Sequence, residues 1–169
     1  MQKADSPLGS WRGLVVFLAA SLLVVADLLT KTWVRSYPEG LVIHELGFLR
    51  LVHVQNTGAA FGLFQGHSFI LVIVDIVGIA VLLALVVFFR GRYPFLARFP
   101  VLMGMGMMLA GTTGNLIDRV WFGHVTDFLD VGVWPAFNIA DSSIVVGAIM
   151  VAYCLIRMSW AEKGPEPKE

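Results

Sequence analysis

The sequence predicts a mainly α membrane protein, a four-transmembrane-helix bundle with a small extracytoplasmic β-sheet region. Three observations predict it. Of the 169 residues, 57% are hydrophobic and only 14% are charged, against about 25% charged in an ordinary soluble domain. The mean hydropathy is +0.79. The apolar residues gather into four runs of about 20, the length that crosses a hydrocarbon core, while charged residues collect between the runs and near their ends. The net charge of zero leaves no electrostatic footprint for nucleic acid.

The first span is expected at Leu14–Val34. Lys3 and Arg12 precede it as in a signal peptide, but the run is too long for a cleaved h-region and three more spans follow, so it is read as an uncleaved membrane helix. Asp27 and Lys31 lie four residues apart and share one helix face, acid before base. They read as an intrahelical ion pair with Lys31 snorkelling outward, or as a pair in which Lys31 helps position a substrate. The connection 35–67 contains Phe48-Leu49-Arg50-Leu51-Val52-His53-Val54, whose partial alternation and β-branched content predict short strands within Val42–Gln55. Such a sheet either holds an extended peptide by strand addition or caps the bundle. In Asn56-Thr57-Gly58-Ala59-Ala60-Phe61-Gly62, the glycines permit close backbone approach or simply a tight loop.

The second span is expected at Ser68–Phe89. Asp75 lies about two turns, roughly 10 Å, inside it and reads as a buried, protonated structural aspartate. Pro94 and Pro100 punctuate the connection 90–99. The third span, Pro100–Ile117, leads into a stripe of Gly111, Asn115, Asp118 and Arg119. Glycine allows close helix approach, and Asn115 and Arg119 then point inward at the boundary, unless Asp118 and Arg119 only anchor the helix end. The connection 118–138 carries Val125-Thr126-Asp127-Phe128 and Trp134-Pro135. The fourth span, Ile139–Ile156, begins beside Asp141. Cys154 lies in it, has no cysteine to pair with, and lacks a polarising neighbour. Residues 1–160 read as one domain and 161–169 as a disordered cytoplasmic tail.

Basic residues orient the bundle. Lys3, Arg12, Arg90, Arg92, Arg98, Arg157, Lys163 and Lys168 fall on one side, and Lys31, Arg35, Arg50 and Arg119 on the other. This excess puts both termini in the cytoplasm. Asp127 and Asp141 then emerge at the same extracytoplasmic boundary. Two carboxylates held together there can share a proton and activate water, the chemistry of an aspartic protease. Asp130 is the rival to Asp127. His44, His53, His67 and His124 have no metal-ligand spacing. Two other classes remain open on the residues alone: a transporter with Asp27, Asp75 and Lys31 along a path, and a metal-dependent phosphotransferase built on Asp118, Asp127 and Asp130.

Five runs in order carry a resemblance over most of the chain: Asp27-x-x-Thr30-Lys31, Asn56-Thr57-Gly58-Ala59-Ala60-Phe61, Gly114-Asn115-Leu116-Ile117-Asp118-Arg119, Val125-Thr126-Asp127-Phe128 and Phe137-Asn138-Ile139-Ala140-Asp141. Together they resemble the lipoprotein signal peptidases, or signal peptidase II. The resemblance implies a bacterial inner-membrane aspartic endopeptidase. Such enzymes remove signal peptides from diacylglyceryl-modified prolipoproteins, cutting immediately before the lipidated cysteine. It implies Asp127 and Asp141 as the catalytic dyad, with Asn56, Gly58, Asn115, Arg119, Asn138, Asp27 and Lys31 as supporting or substrate-binding residues. The outer strands become a cradle flanking the site. No metal or organic cofactor is implied. The expected partners are the lipidated precursor and membrane lipid, and the chain is expected to act as a monomer. Two departures stand out: the stretch between Asp127 and Asp141 is shorter than in many members, and Asp75 is not part of the family pattern.

Overall fold

The computed structural model describes residues 11–58 and 64–162. It contains four long helices, α1 (Trp11–Val34), α2 (Ser68–Ala84), α3 (Phe99–Phe122) and α4 (Ile139–Glu162), and three strands, β1 (Val42–Leu46), β2 (Leu49–Asn56) and β3 (Val125–Asp130). A π-helical turn, Leu85–Phe89, prolongs α2, and a 3-10 turn, Pro94–Ala97, leads into α3. Three helices are long and apolar enough to cross a membrane: α1, α2 with its extension, and α4. At 24 residues α3 is as long, but its glycines, threonines and Asn115 dilute its hydropathy. Packing explains why it tolerates them. It lies against α1, α2 and α4, so its neighbours cover much of the surface that would otherwise meet lipid.

Burial is inverted relative to a soluble protein. Leu22, Phe69 and Phe88 are 69%, 75% and 77% exposed, while Asp27, Lys31, Asp118 and Asn138 are at most 1% exposed. An apolar exterior suits contact with lipid, and a polar interior survives only where every group finds a partner. Small residues let the helices approach closely enough for that. A Cβ on Gly111 would collide with the Ala140 carbonyl oxygen, and one on Gly114 would lie 2.6 Å from Asp27 Oδ2. Together α3, α4 and the Asp27 face of α1 form a seam closed at these two positions.

The strands expected within Val42–Gln55 form β1 and β2, an antiparallel hairpin with Leu46 paired to Leu49. A third strand completes the sheet, in the order β1-β2-β3. It lies in the connection 118–138, where the sequence reading expected no strand, and it carries Asp127. The helix runs past the expected Ile117 to Phe122, the chain turns at Gly123, and β3 then pairs with β2 through Val54↔Asp127 and Asn56↔Val125. All four of Val125, Thr126, Asp127 and Phe128 are buried. With both faces covered, the period-two alternation that announces a half-buried strand is absent. At the other end α4 continues through Glu162. The rest of the tail expected to be disordered, and the run Ala59-Ala60-Phe61-Gly62, lie outside the described residues.

Candidate active site

Asp127 and Asp141 arrive from different elements, and an asparagine bridges them. Asn138 Nδ2 donates to Asp127 Oδ1 at 2.7 Å, and Asn56 Nδ2 donates to Asp127 Oδ2 at 2.9 Å. Asn56 ends β2 opposite Val125. Its Oδ1 accepts the Gly58 N–H at 2.9 Å, a local Asx turn that fixes which way the amide faces. Gly58 therefore acts on Asp127 through Asn56.

Asp141 is placed by the start of its own helix. Asn138 Oδ1 accepts the Asp141 N–H at 2.8 Å, while Asp141 Oδ2 accepts the Asn138 N–H at 3.2 Å. This is a reciprocal capping box, in which residues three apart satisfy each other's backbone donors. The intervening Ala140 N–H donates to Asp27 Oδ1 at 2.9 Å. Helix starts leave unsatisfied N–H groups; here a side chain from α1 meets one of them, and Asp141 itself belongs to the cap.

Beneath the two aspartates lies a buried polar hub. Asn115 Nδ2 donates to Asp141 Oδ1 at 2.8 Å, and Asn115 Oδ1 accepts from Lys31 Nζ at 2.9 Å and from Asn138 Nδ2 at 3.2 Å. Lys31 also contacts Asp27 Oδ2 at 2.7 Å and Asp118 Oδ2 at 3.5 Å. The ion pair read from the spacing of Asp27 and Lys31 is present. The snorkelling Lys31 is not, because the ammonium is 0% exposed and three oxygens hold it inside. Asp118 proves more than a helix-end anchor. Its Oδ2 accepts the Thr126 N–H at 2.9 Å, and its Oδ1 accepts from Arg35 at 3.1 Å. Arg35 also donates to Thr126 Oγ1 at 3.0 Å. Asp118 thus ties the end of α3 to β3, one residue before Asp127. The sequence signal was its place three residues after Asn115 on the same stripe; neither Thr126 nor Arg35 carried one.

Above the hub opens a cleft of about 220 Å³, whose polar lining is Asn56, Arg119, Asp127 and Asp141 and whose apolar walls include Trp134, Phe137 and Val145. An apolar groove of about 350 Å³ adjoins it, sharing Trp134, Phe137, Asp141 and Val145 and adding Ser142 and Val146. Burial pushes the Asp127 carboxyl up to about 7; the neighbouring Asp141 charge adds to the rise, and the Asn56 and Asn138 hydrogen bonds oppose it. Asp130 does not line this cleft. It accepts from Arg50 at 2.6 Å and from the Gly132 N–H at 2.7 Å. Asp75, read from the sequence as a buried structural aspartate, lies against Arg119, whose Nη1 meets its Oδ2 at 2.7 Å. Asp27 and Lys31 hold each other, and Asp75 holds Arg119. Among the described residues no group of three or more His, Cys, Asp or Glu side chains is arranged to hold a metal ion.

Known proteins resemble this chain over most of its length. The lipoprotein signal peptidase of Dehalococcoides mccartyi is 49% identical over 140 residues, covering 82% of this chain and 86% of that protein. That of Moorella thermoacetica is 39% identical over 154 residues, covering 89% and 99%. A bacterial membrane enzyme solved by the in meso method at 2.3 Å superposes with a TM-score of 0.79 at 28% identity, over 91% of this chain and 94% of that one. Residues 19–157 match the signal peptidase (SPase) II family. That span includes the two aspartates, the three asparagines that orient them and the hub below, and the chain belongs to the signal peptidase II family of peptidases.

Proposed function

We propose that this protein is a membrane aspartic endopeptidase. It removes signal peptides from diacylglyceryl-modified prolipoproteins by cutting just before the lipidated cysteine, with Asp127 and Asp141 as its dyad. The observation that carries the reading is the pair of carboxylates at one cleft, each with both oxygens receiving N–H donors from asparagines. Those donors orient the carboxylates without supplying a competing charge.

The chemistry follows. Two close carboxylates share one proton, because ionising both is costly. Burial raises the Asp127 carboxyl to about 7, so a proton is available to the pair near neutral pH, without being assigned to either aspartate. The ionised partner takes a proton from water as the oxygen adds to the scissile carbonyl, and the acid partner protonates the carbonyl oxygen. The tetrahedral intermediate collapses as its nitrogen is protonated and the C–N bond breaks. The two acyl chains of the substrate remain in lipid and in the apolar groove beside Asp141, so the adjacent peptide bond is delivered by tethering rather than by a bulk encounter. All four helices cross the membrane, α3 shielded by the other three. Both termini lie in the cytoplasm and the cleft faces the extracytoplasmic side of a bacterial inner membrane. One chain supplies both aspartates, so the enzyme acts as a monomer.

The test is to incubate purified protein in lipid with a prolipoprotein that carries or lacks its diacylglyceryl group. Wild type is expected to cleave only the lipidated form. Asp127→Asn and Asp141→Asn are each expected to lose at least about 10³-fold in turnover while staying folded and inserted. Full turnover in either variant, or equal cleavage of the unlipidated precursor, overturns the reading.

A further inference from the structure

Asp75 stands outside every motif that led to the site. It lies in α2 among Ile73, Val74, Ile76 and Val77, all exposed on the lipid-facing surface. A carboxylate in such a helix is costly unless paired. Its pair is Arg119, at 2.7 Å, with the two side chains 13% and 10% exposed. The single carboxylate of α2 is thus committed to a residue of the cleft.

Arg119 needs a partner of this kind. A guanidinium has five N–H donors and forms strong forked pairs with carboxylates. Arg119 lines the same cleft as Asp127 and Asp141, so either aspartate is a natural alternative to Asp75. Such a pair would fill the cleft and remove one carboxylate from the dyad. The charges of the hub below the cleft and of the neighbouring β2–β3 pair are matched among themselves. On α1, Lys31 lies against Asp27 and Asp118, and Arg35 lies against Asp118; between β2 and β3, Arg50 lies against Asp130. On β2, His53 turns to the Tyr37 carbonyl oxygen at 2.7 Å. Among the described residues, Asp75 is the one ion-pair partner of Arg119, and Arg119 Nε is buried with no acceptor.

Resting on the peptidase reading of the cleft, we infer that Asp75 is a positioning residue that restrains Arg119 from pairing with the two aspartates and leaves its Nε–H for a backbone carbonyl oxygen of the bound substrate peptide. A neutral carbonyl suits that donor, since Asp75 already balances the charge of Arg119. The substitution of one α2 residue therefore acts on the dyad through a side chain of α3.

The experiment measures kcat and KM from pH 5 to 9 for the full chain in lipid, using a diacylglyceryl-modified prolipopeptide. Asp75→Asn leaves Arg119 as an unmatched cation beside the dyad, which favours the doubly ionised form. The expected result is a loss of about tenfold or more in kcat/KM and an alkaline limb moved to lower pH by about half a unit or more. Asp75→Glu is expected to return the limb toward its wild-type position. The double variant Asp75→Asn with Arg119→Gln removes both charges, leaves no unpaired ion in the helix, and is expected to restore the limb while KM stays raised. Thermal denaturation runs alongside, and a variant too unstable to assay is answered by the double variant. An unmoved limb in Asp75→Asn, or no restoration in the double variant, overturns the inference. Activity surviving in Asp127→Asn or Asp141→Asn overturns the peptidase reading instead, so the two failures are distinguishable.

Discussion

Lys31 and Arg119 are both cations beside the same two aspartates, yet they sit in opposite states of completion. Lys31 is fully buried and touches oxygens of Asp27, Asn115 and Asp118. Its ammonium donates to Asn115 and lies within ion-pair distance of two carboxylates, and it does not line the cleft. Arg119 does line the cleft, holds one carboxylate and keeps a buried N–H without an acceptor. A cation enclosed by carboxylates braces a structure; one with an N–H left over at a cavity wall is free to take a ligand. On the proposed function, the difference separates the floor of the site, which fixes geometry, from its wall, which is proposed to meet substrate.

The largest expected effect is on the floor. Lys31→Met leaves Asp27 without its counter-ion in a buried setting and Asp118 with Arg35 alone, and breaking such a buried pair costs about 3–5 kcal/mol. Thermal unfolding in lipid should show a large drop in Tm, with activity lost in step with folding. A stable Lys31→Met protein would erase the distinction. At the wall, Arg119→Lys keeps a charge for Asp75 but loses the planar fork and the Nε–H. Its kcat/KM should fall roughly 10- to 100-fold, the worth of one charge-assisted hydrogen bond, with Tm changed little.

The pH profile tests the aspartates between floor and wall. Asp127 is raised to about 7, so its proton is held below that value and lost above it. Turnover should fall as the pH rises through about 7, and a rate that keeps climbing to pH 9 contradicts a shared proton on Asp127. The smallest effect belongs to Asp130. Its partner Arg50 is 40% exposed, and such pairs contribute at most about 1 kcal/mol. Asp130→Asn should leave turnover within about twofold of wild type; a dead variant would move the site away from Asp127.

Which parts of this were legible in the sequence follows from how far each residue reaches for its partner. Asp27 and Lys31 are four apart on one helix, and their pairing could be read from spacing. The β1–β2 hairpin could be read because its strands are partly exposed and so partly alternate. Strand β3 could not: burial on both faces erased its period, and Asp127 was read only as part of the connection 118–138. Nor could the burial of Lys31, whose acceptor Asn115 lies 84 residues away. Asp75 looked unpartnered for the same reason, since Arg119 is 44 residues on. The capping box was present as Asn138 and Asp141 three apart, but both residues were read for chemistry, and the fold-making half of their role went unnoticed.

That double role sets the order in which the protein can become active. Asp141 closes the first turn of α4, and the Ala140 N–H of that turn docks on Asp27 of α1. A chain in which α4 has not seated against α1 lacks that contact. With Asp127 and Asp141 as the proposed dyad, the turn that places one catalytic carboxylate is therefore the same turn that locks α4 onto α1, and assembly of the bundle becomes a condition for hydrolysis.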